Sequence, residues 1–239
     1  MNVLSIGNSF SEDAQRYLHQ LAKKDGVHIH AVNLFIGGCS LREHYLNMLG
    51  DKALYKLQCN GTNTEINVSI RQALESVEWD VITLQQASHF SAKKETYSPY
   101  IEELALYVKK YCPHAKLYIH ETWAYEDGSE RLKDVAGYST AREMLADIQN
   151  AYAVASKLTQ ADGIIPCGTA MYKALSSGVK KVHRDTFHAS LGIGRYLLAL
   201  TWYKTLTGKD VSHNDFNDFD EAVSEKEREI AISVVNSIV

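Results

Sequence analysis

Three residues set far apart in this chain could together transfer an acyl group: Ser9, in the stretch SIGNSFSED, and the pair Asp185-x-x-His188, in HRDTFHAS. A serine hydroxyl is a poor nucleophile near neutral pH and needs a base within hydrogen-bond reach. His188 could take its proton, and Asp185 could fix the imidazole tautomer and stabilise the imidazolium that forms. The oxyanion that develops needs donors already in place. Gly37 or Gly38 can bring a backbone N–H close because neither has a Cβ, and Gln85 or Gln86 could add a side-chain N–H.

Each feature also has a purely structural reading. Ser9-x-x-Glu12 is itself a capping box, in which the hydroxyl would bond the amides of its own helix. Gly37-Gly38 can be a strand-to-helix turn, the paired glutamines can be core hydrogen-bonders, and Asp185 with His188 can be a local polar contact. The catalytic reading rests on their conjunction, because all four fall where a strand ends or a helix begins.

The elements that must position them follow from apolar periodicity. Asn2–Ile6, His28–Ile36, Asp80–Gln85, Lys116–Thr122 and Gly163–Cys167 read as strands. Helices are expected at Ala14–Lys24, in IRQALESV before the third strand, and at Tyr100–Tyr111, Ala141–Leu158, about Ala189–Leu206 and Glu225–Ile238. Ser40-x-x-Glu43 and Ser224-x-x-Glu227 are further capping boxes. This alternation predicts a flavodoxin-like three-layer α/β/α sandwich with five parallel strands, whose ligands bind beyond the carboxyl ends of the strands. The segments after those ends are Gly7–Phe10, Gly37–Ser40, Gln85–His89, Glu121–Tyr125 and Cys167–Ala170. Asn8 beside Ser9, Cys39 in the glycine loop, and Trp123 and Tyr125 are therefore the candidates to line a substrate pocket. Tyr125–Thr140, long, polar and punctuated by glycine, is the best candidate for a mobile loop.

Bulk properties narrow the class. The 239 residues, 45% of them hydrophobic, suffice for one large core, and a single domain over 1–239 is the simplest count. A net charge of −4 gives no electrostatic case for nucleic acid or an anionic membrane. No apolar run reaches the roughly 18 residues that span a bilayer. No signal peptide is visible, which points to the cytoplasm, although a mature chain trimmed of its leader would read the same way. Cys39, Cys59, Cys112 and Cys167 are widely spaced and fit a reduced compartment. His28 and His30 share a strand face without a third ligand, and His114, His120 and His183 are equally unsupported, so no metal and no cofactor is expected.

The set Gly7-Asn8-Ser9, Gly38, the amide after the third strand and Asp185-x-x-His188 resembles the SGNH (GDSL-like) hydrolases. Within that superfamily, IGNSFSED, GGCSL, WDVITLQQAS, TWAY and RDTFH followed by GRY resemble a bacterial subgroup, over residues 2 to about 205. The resemblance implies Ser9 as nucleophile, His188 as general base and acid, Asp185 as orienting carboxylate, and the backbone N–H groups of Ser9 and Gly38 in the oxyanion hole. The superfamily's third donor is an asparagine in a Gly-x-Asn turn, where this chain has Gln85-Gln86-Ala87-Ser88. The expectation is that a glutamine amide replaces it, Gln86 ahead of Gln85. An α/β-hydrolase is disfavoured by the lack of a Gly-x-Ser-x-Gly elbow.

The expected activity is hydrolysis of acyl esters, small-molecule or glycan, with acetylated carbohydrates suggested by related subgroups. The reading from a different class is a non-catalytic module that holds a small anion at the loop after the first strand. Against it, Glu12 and Asp13 would repel a phosphate, and no Walker lysine is present. The sequence leaves the oligomeric state open.

Overall fold

The apolar runs read as strands are buried over most of their length, as a sheet covered on both faces requires. A computed structural model describes all of Met1–Val239. The first half contains β1 (Asn2–Gly7), α1 (Ser9–Gln15), α2 (Leu18–Lys24), β2 (His30–Phe35), α3 (Leu41–Leu49), β3 (Tyr55–Cys59), β4 (Thr62–Val68), α4 (Ile70–Leu74) and β5 (Val81–Leu84). The second half contains α5 (Tyr100–Tyr111), β6 (Lys116–His120), α6 (Ala141–Thr159), β7 (Gly163–Ile165), α7 (Cys167–Ser176), α8 (Ile193–Thr207) and α9 (Glu225–Ile238).

The strands form one mixed sheet of seven, ordered β4-β3-β2-β1-β5-β6-β7, rather than the five parallel strands expected. The parallel part, β2-β1-β5-β6-β7, does have the flavodoxin-like order. The addition is an antiparallel hairpin, β3–β4, laid against β2. Its two-residue turn is Asn60-Gly61, with φ of 51° and 80°. Positive φ at both central residues is what a type I′ hairpin turn demands.

Alternate residues of β1 serve two cores. Val3 packs with Phe10, Tyr196 and Trp202 beneath α1, α2, α7, α8 and α9. Leu4 and Ile6 pack with Leu104, Ile148 and Tyr152 beneath α3–α6. The helix expected over Ala14–Lys24 is two helices, because Tyr17 breaks the run and turns its hydroxyl to the Leu191 carbonyl. The segment 125–140 packs down rather than standing away. Tyr125 and Leu132 are buried, and the Glu126 N–H donates to the Thr186 carbonyl at 2.8 Å.

Candidate active site

β1 ends at Gly7, inside the parallel part of the sheet, where the chain steps to β2 on one side and later returns to β5 on the other before continuing outward to β6 and β7. That switch point is where a crevice opens in such sheets. A Cβ on Gly7 would lie 2.1 Å from Ser11 Oγ, so only glycine lets the chain turn this tightly into α1. The helix is capped by Asn8, not Ser9. Asn8 Oδ1 accepts from the Phe10 N–H at 3.0 Å, and Ser11 Oγ accepts from the Asn8 N–H at 3.1 Å. The capping box is therefore Asn8-x-x-Ser11, which corrects the Ser9-x-x-Glu12 reading. Glu12 instead accepts from Gln58 Nε2. Ser9 occupies the first helical position, and its hydroxyl lies 2.9 Å from His188 Nε2.

His188 reaches that point from a tight loop between α7 and α8. Thr186 sits at φ 73°, unusual for a β-branched residue, and this turns the chain back so that Asp185 faces His188. Asp185 Oδ1 accepts from the His188 backbone N–H at 2.8 Å, and Oδ2 lies 2.7 Å from Nδ1. A carboxylate at Nδ1 places the ring proton there and leaves Nε2 to accept from the Ser9 hydroxyl. Partial burial would raise the Asp185 carboxyl, but the hydrogen bonds from the His188 ring and backbone outweigh it and hold the carboxyl below its ordinary value. The imidazole is steadied by Phe187, whose ring centroid is 3.8 Å away.

Across from His188, Ile36–Cys39 forms a turn closed by the Cys39 N–H donating to the Ile36 carbonyl at 3.2 Å. Gly38 stands at φ 64° in it, a conformation that favours glycine. The N–H groups of Ser9 and Gly38 find no acceptor within the protein. Ser9, Gly38, Asn8, Ser88 and His188 line one cavity of about 440 Å³.

The glutamines do not point into this cavity. Gln86 Oε1 accepts from the Leu41 and Ala87 N–H groups, and its Nε2 donates to the Thr96 carbonyl and hydroxyl. Gln85 Nε2 donates to Asn8 Oδ1 at 2.7 Å, and its Oε1 meets His120 Nδ1. Both are buried brackets that hold the loops, because a buried amide takes the partners its surroundings leave unpaired. Ser88 and His89 are the residues of that turn that line the cavity, and Ser88 Oγ lies 3.0 Å from the Tyr125 hydroxyl.

Of the expected pocket residues only Asn8 lines the cavity. Cys39 is buried with Sγ toward His44, while its carbonyl accepts from Asn8 Nδ2. Trp123 is buried behind Phe10, stacked at 4.0 Å, and donates to the Phe187 carbonyl. Tyr125 is buried behind Ser88 and Phe187. These aromatics carry the walls rather than forming them.

Asp13 is a site-building residue that the sequence reading weighed only as a repulsive charge. Fully buried on α1, it accepts from Arg184, Arg195 and the Ala189 N–H, and so fixes the Ser9 helix to the His188 loop. Its signal was its place one helical turn beyond Ser9, facing the same side. No group of three His, Cys, Asp or Glu side chains converges as a metal site would require. No helix is long and apolar enough to cross a membrane.

The mixed α/β sheet with its rim of loops defines a class: the fold is the one found in SGNH-type hydrolases. The chain is similar to a provisionally assigned SGNH hydrolase from Slackia heliotrinireducens, at 24% identity and TM-score 0.62, over 86% of this chain and 98% of that one. An acetylxylan esterase from Geobacillus stearothermophilus shares the fold at 15% identity and TM-score 0.56, over 86% of this chain and 94% of that one. Within this class the chain belongs to the family described as "Domain of unknown function (DUF4886)", whose model matches residues 2–237. It is similar to a DUF4886 family protein from Bacteroides uniformis, with 33% identity, TM-score 0.91 and coverage of 99% of this chain and 93% of that one. No curated protein matches the chain.

Proposed function

We propose that the chain is a serine esterase that hydrolyses acyl esters through an acyl-enzyme. One observation carries this reading: the continuous relay from Ser9 Oγ to His188 Nε2 at 2.9 Å, and from His188 Nδ1 to Asp185 Oδ2 at 2.7 Å. Ser9 Oγ attacks the acyl carbon while His188 Nε2 takes the hydroxyl proton. Asp185 stays ionised and stabilises the imidazolium. The oxyanion is met by the free N–H groups of Ser9 and Gly38, with the Ser88 hydroxyl as third donor, oriented by Tyr125. Collapse breaks the ester C–O bond, and the leaving alcohol takes the proton from His188. Water then gives a proton to His188 and attacks the acyl-enzyme. The acid departs, and the proton returns to Ser9.

The cavity of about 440 Å³ suits a small acyl group. Acetylated carbohydrates are the first substrate class to screen. The test is hydrolysis of 4-nitrophenyl acetate and longer acyl homologues, together with mass mapping of a phosphonate serine probe. Turnover that falls with acyl length, with the probe on Ser9, supports the reading. A probe that leaves Ser9 unlabelled contradicts it.

A further inference from the structure

Arg131 adds a charge to this cavity for which the proposed chemistry has no use. It opens the single π-helical turn Arg131–Val135, between two anchors in the fold. Next to it Leu132 is fully buried, and its N–H donates to Ser129 Oγ at 3.1 Å. On the other side, the guanidinium lies 3.8 Å from the centroid of the Phe187 ring and 5.7 Å from that of Tyr125. Stacking of this kind fixes the plane of an arginine and leaves its edge N–H groups for a ligand.

That edge has no carboxylate partner. Arg16, Arg71, Arg184 and Arg195 each hold an aspartate. Arg131 instead lines the cavity with Ser9 and His188, whose other lining residues carry no acidic side chain. An unpaired guanidinium with five N–H donors in a fixed fork matches a carboxylate bidentately.

The direction of approach indicates which half of an ester would carry that carboxylate. In the proposed reaction His188 protonates the leaving oxygen, so the alcohol part lies on the His188 side. The order in space is His188, Phe187, Arg131, with 3.8 Å at each step. We infer that Arg131 is a specificity residue that binds a carboxylate on the alcohol half of the ester, making acidic alcohols or acidic sugars the preferred esterified partners. The inference rests on the esterase reading for its term "ester", but not for the anion site itself.

The experiment compares 4-acetoxybenzoate with its neutral methyl ester, which share acetyl group and ring and differ in charge. Wild type should favour the anion in kcat/KM. Arg131→Gln should lose that preference by about tenfold or more, mostly through KM, read as the ratio of the two esters within each protein so that any change common to both cancels. Arg131→Lys should restore part of it. Equal preferences in wild type and Arg131→Gln would overturn the inference. An Arg131-dependent preference for methyl hydrogen succinate, charged on the acyl half, would overturn its orientation.

A second arm needs no turnover. Calorimetric binding of 4-acetoxybenzoate to Ser9→Ala should weaken by about tenfold when Arg131→Gln is added. Unchanged binding, or no binding to Ser9→Ala, overturns the anion site. Arg131-dependent binding, beside a wild type that hydrolyses none of these esters, upholds the site and removes the esterase reading.

Discussion

The Asp13 carboxylate, with no exposed surface, lies 2.9 Å from the Arg184 guanidinium and joins the helix of Ser9 to the loop of His188 across 171 residues of sequence. Arg195 completes the arrangement, reaching Asp13 through Nε and Asp220 through Nη1. Replacing Asp13 takes one acceptor from each guanidinium, leaving Arg195 with Asp220 and Arg184 with the Ala189 carbonyl, and strands the Ala189 N–H. Asp13→Ala is expected to cost about 3 kcal/mol, at the low end for a buried pair because Arg184 is partly exposed. Urea denaturation measures this. A loss under about 1 kcal/mol would mean that the junction is held by packing instead.

The oxyanion wall gives a prediction that separates Ser88 from the glutamines. Ser88→Ala is expected to lower kcat by up to the 10²–10³ roughly seen when one such donor is lost. Gln86→Ala should instead act on stability, by about 1–3 kcal/mol, because it strands the buried Leu41 N–H. Steady-state kinetics beside thermal unfolding distinguishes them. A large kcat loss in Gln86→Ala with intact Ser88→Ala would reverse the assignment.

Much of this was legible in the sequence, and the misses have local causes. The parallel strands announce themselves because both faces are buried, and Asp185-x-x-His188 is legible because the pair closes within one turn. The β3–β4 hairpin was missed because β4, TNTEINV, is a mostly exposed edge without an apolar stripe. Its signal was Asn60-Gly61, the dipeptide that suits the I′ turn. α7 was missed because CGTA continues directly from β7. The glutamines misled for a different reason. Where an amide points depends on Thr96, Asn8 and His120, which are distant in sequence, so spacing cannot reveal it. Arg131 lay in the segment read as a loop, where no period marks a residue that faces a cavity.

Gly38 carries a conformational prediction. A methyl group there would meet nothing within 4 Å, so Gly38→Ala produces no clash. Its cost is the positive φ, about 1–2 kcal/mol for an L-residue. The turn can escape that strain by rotating the peptide, which moves the N–H away from the acyl oxygen. Activity should therefore fall by more than stability does. Equal activity at reduced stability would remove the Gly38 N–H from the oxyanion hole.

Three buried histidines, His44, His120 and His183, are each lowered by burial and set a pH dependence of folding. Burial pushes His44 from its ordinary 6.5 down to about 4, and His120 down to about 3. Below pH 6.5 the unfolded chain takes up protons that the folded chain refuses. Their contribution is complete above that value and is lost as pH falls toward the folded values. Glu121, raised by burial, works in the opposite sense, so the comparison with a variant is the diagnostic one. His120→Gln should flatten the stability slope between pH 6.5 and 4 in denaturant titrations. An unchanged slope would mean that His120 is already protonated in the fold.

The central claim is that the Ser9 hydroxyl, 2.9 Å from His188 Nε2, is a nucleophile and not a cap. The most direct measurement is pre-steady-state hydrolysis of 4-nitrophenyl acetate by wild type and Ser9→Ala, with mass spectrometry of the quenched protein. Wild type should show one equivalent of acetyl on Ser9 and steady turnover, and Ser9→Ala should show neither while folding normally, since Asn8 caps the helix. Equal turnover in the two proteins would contradict the account.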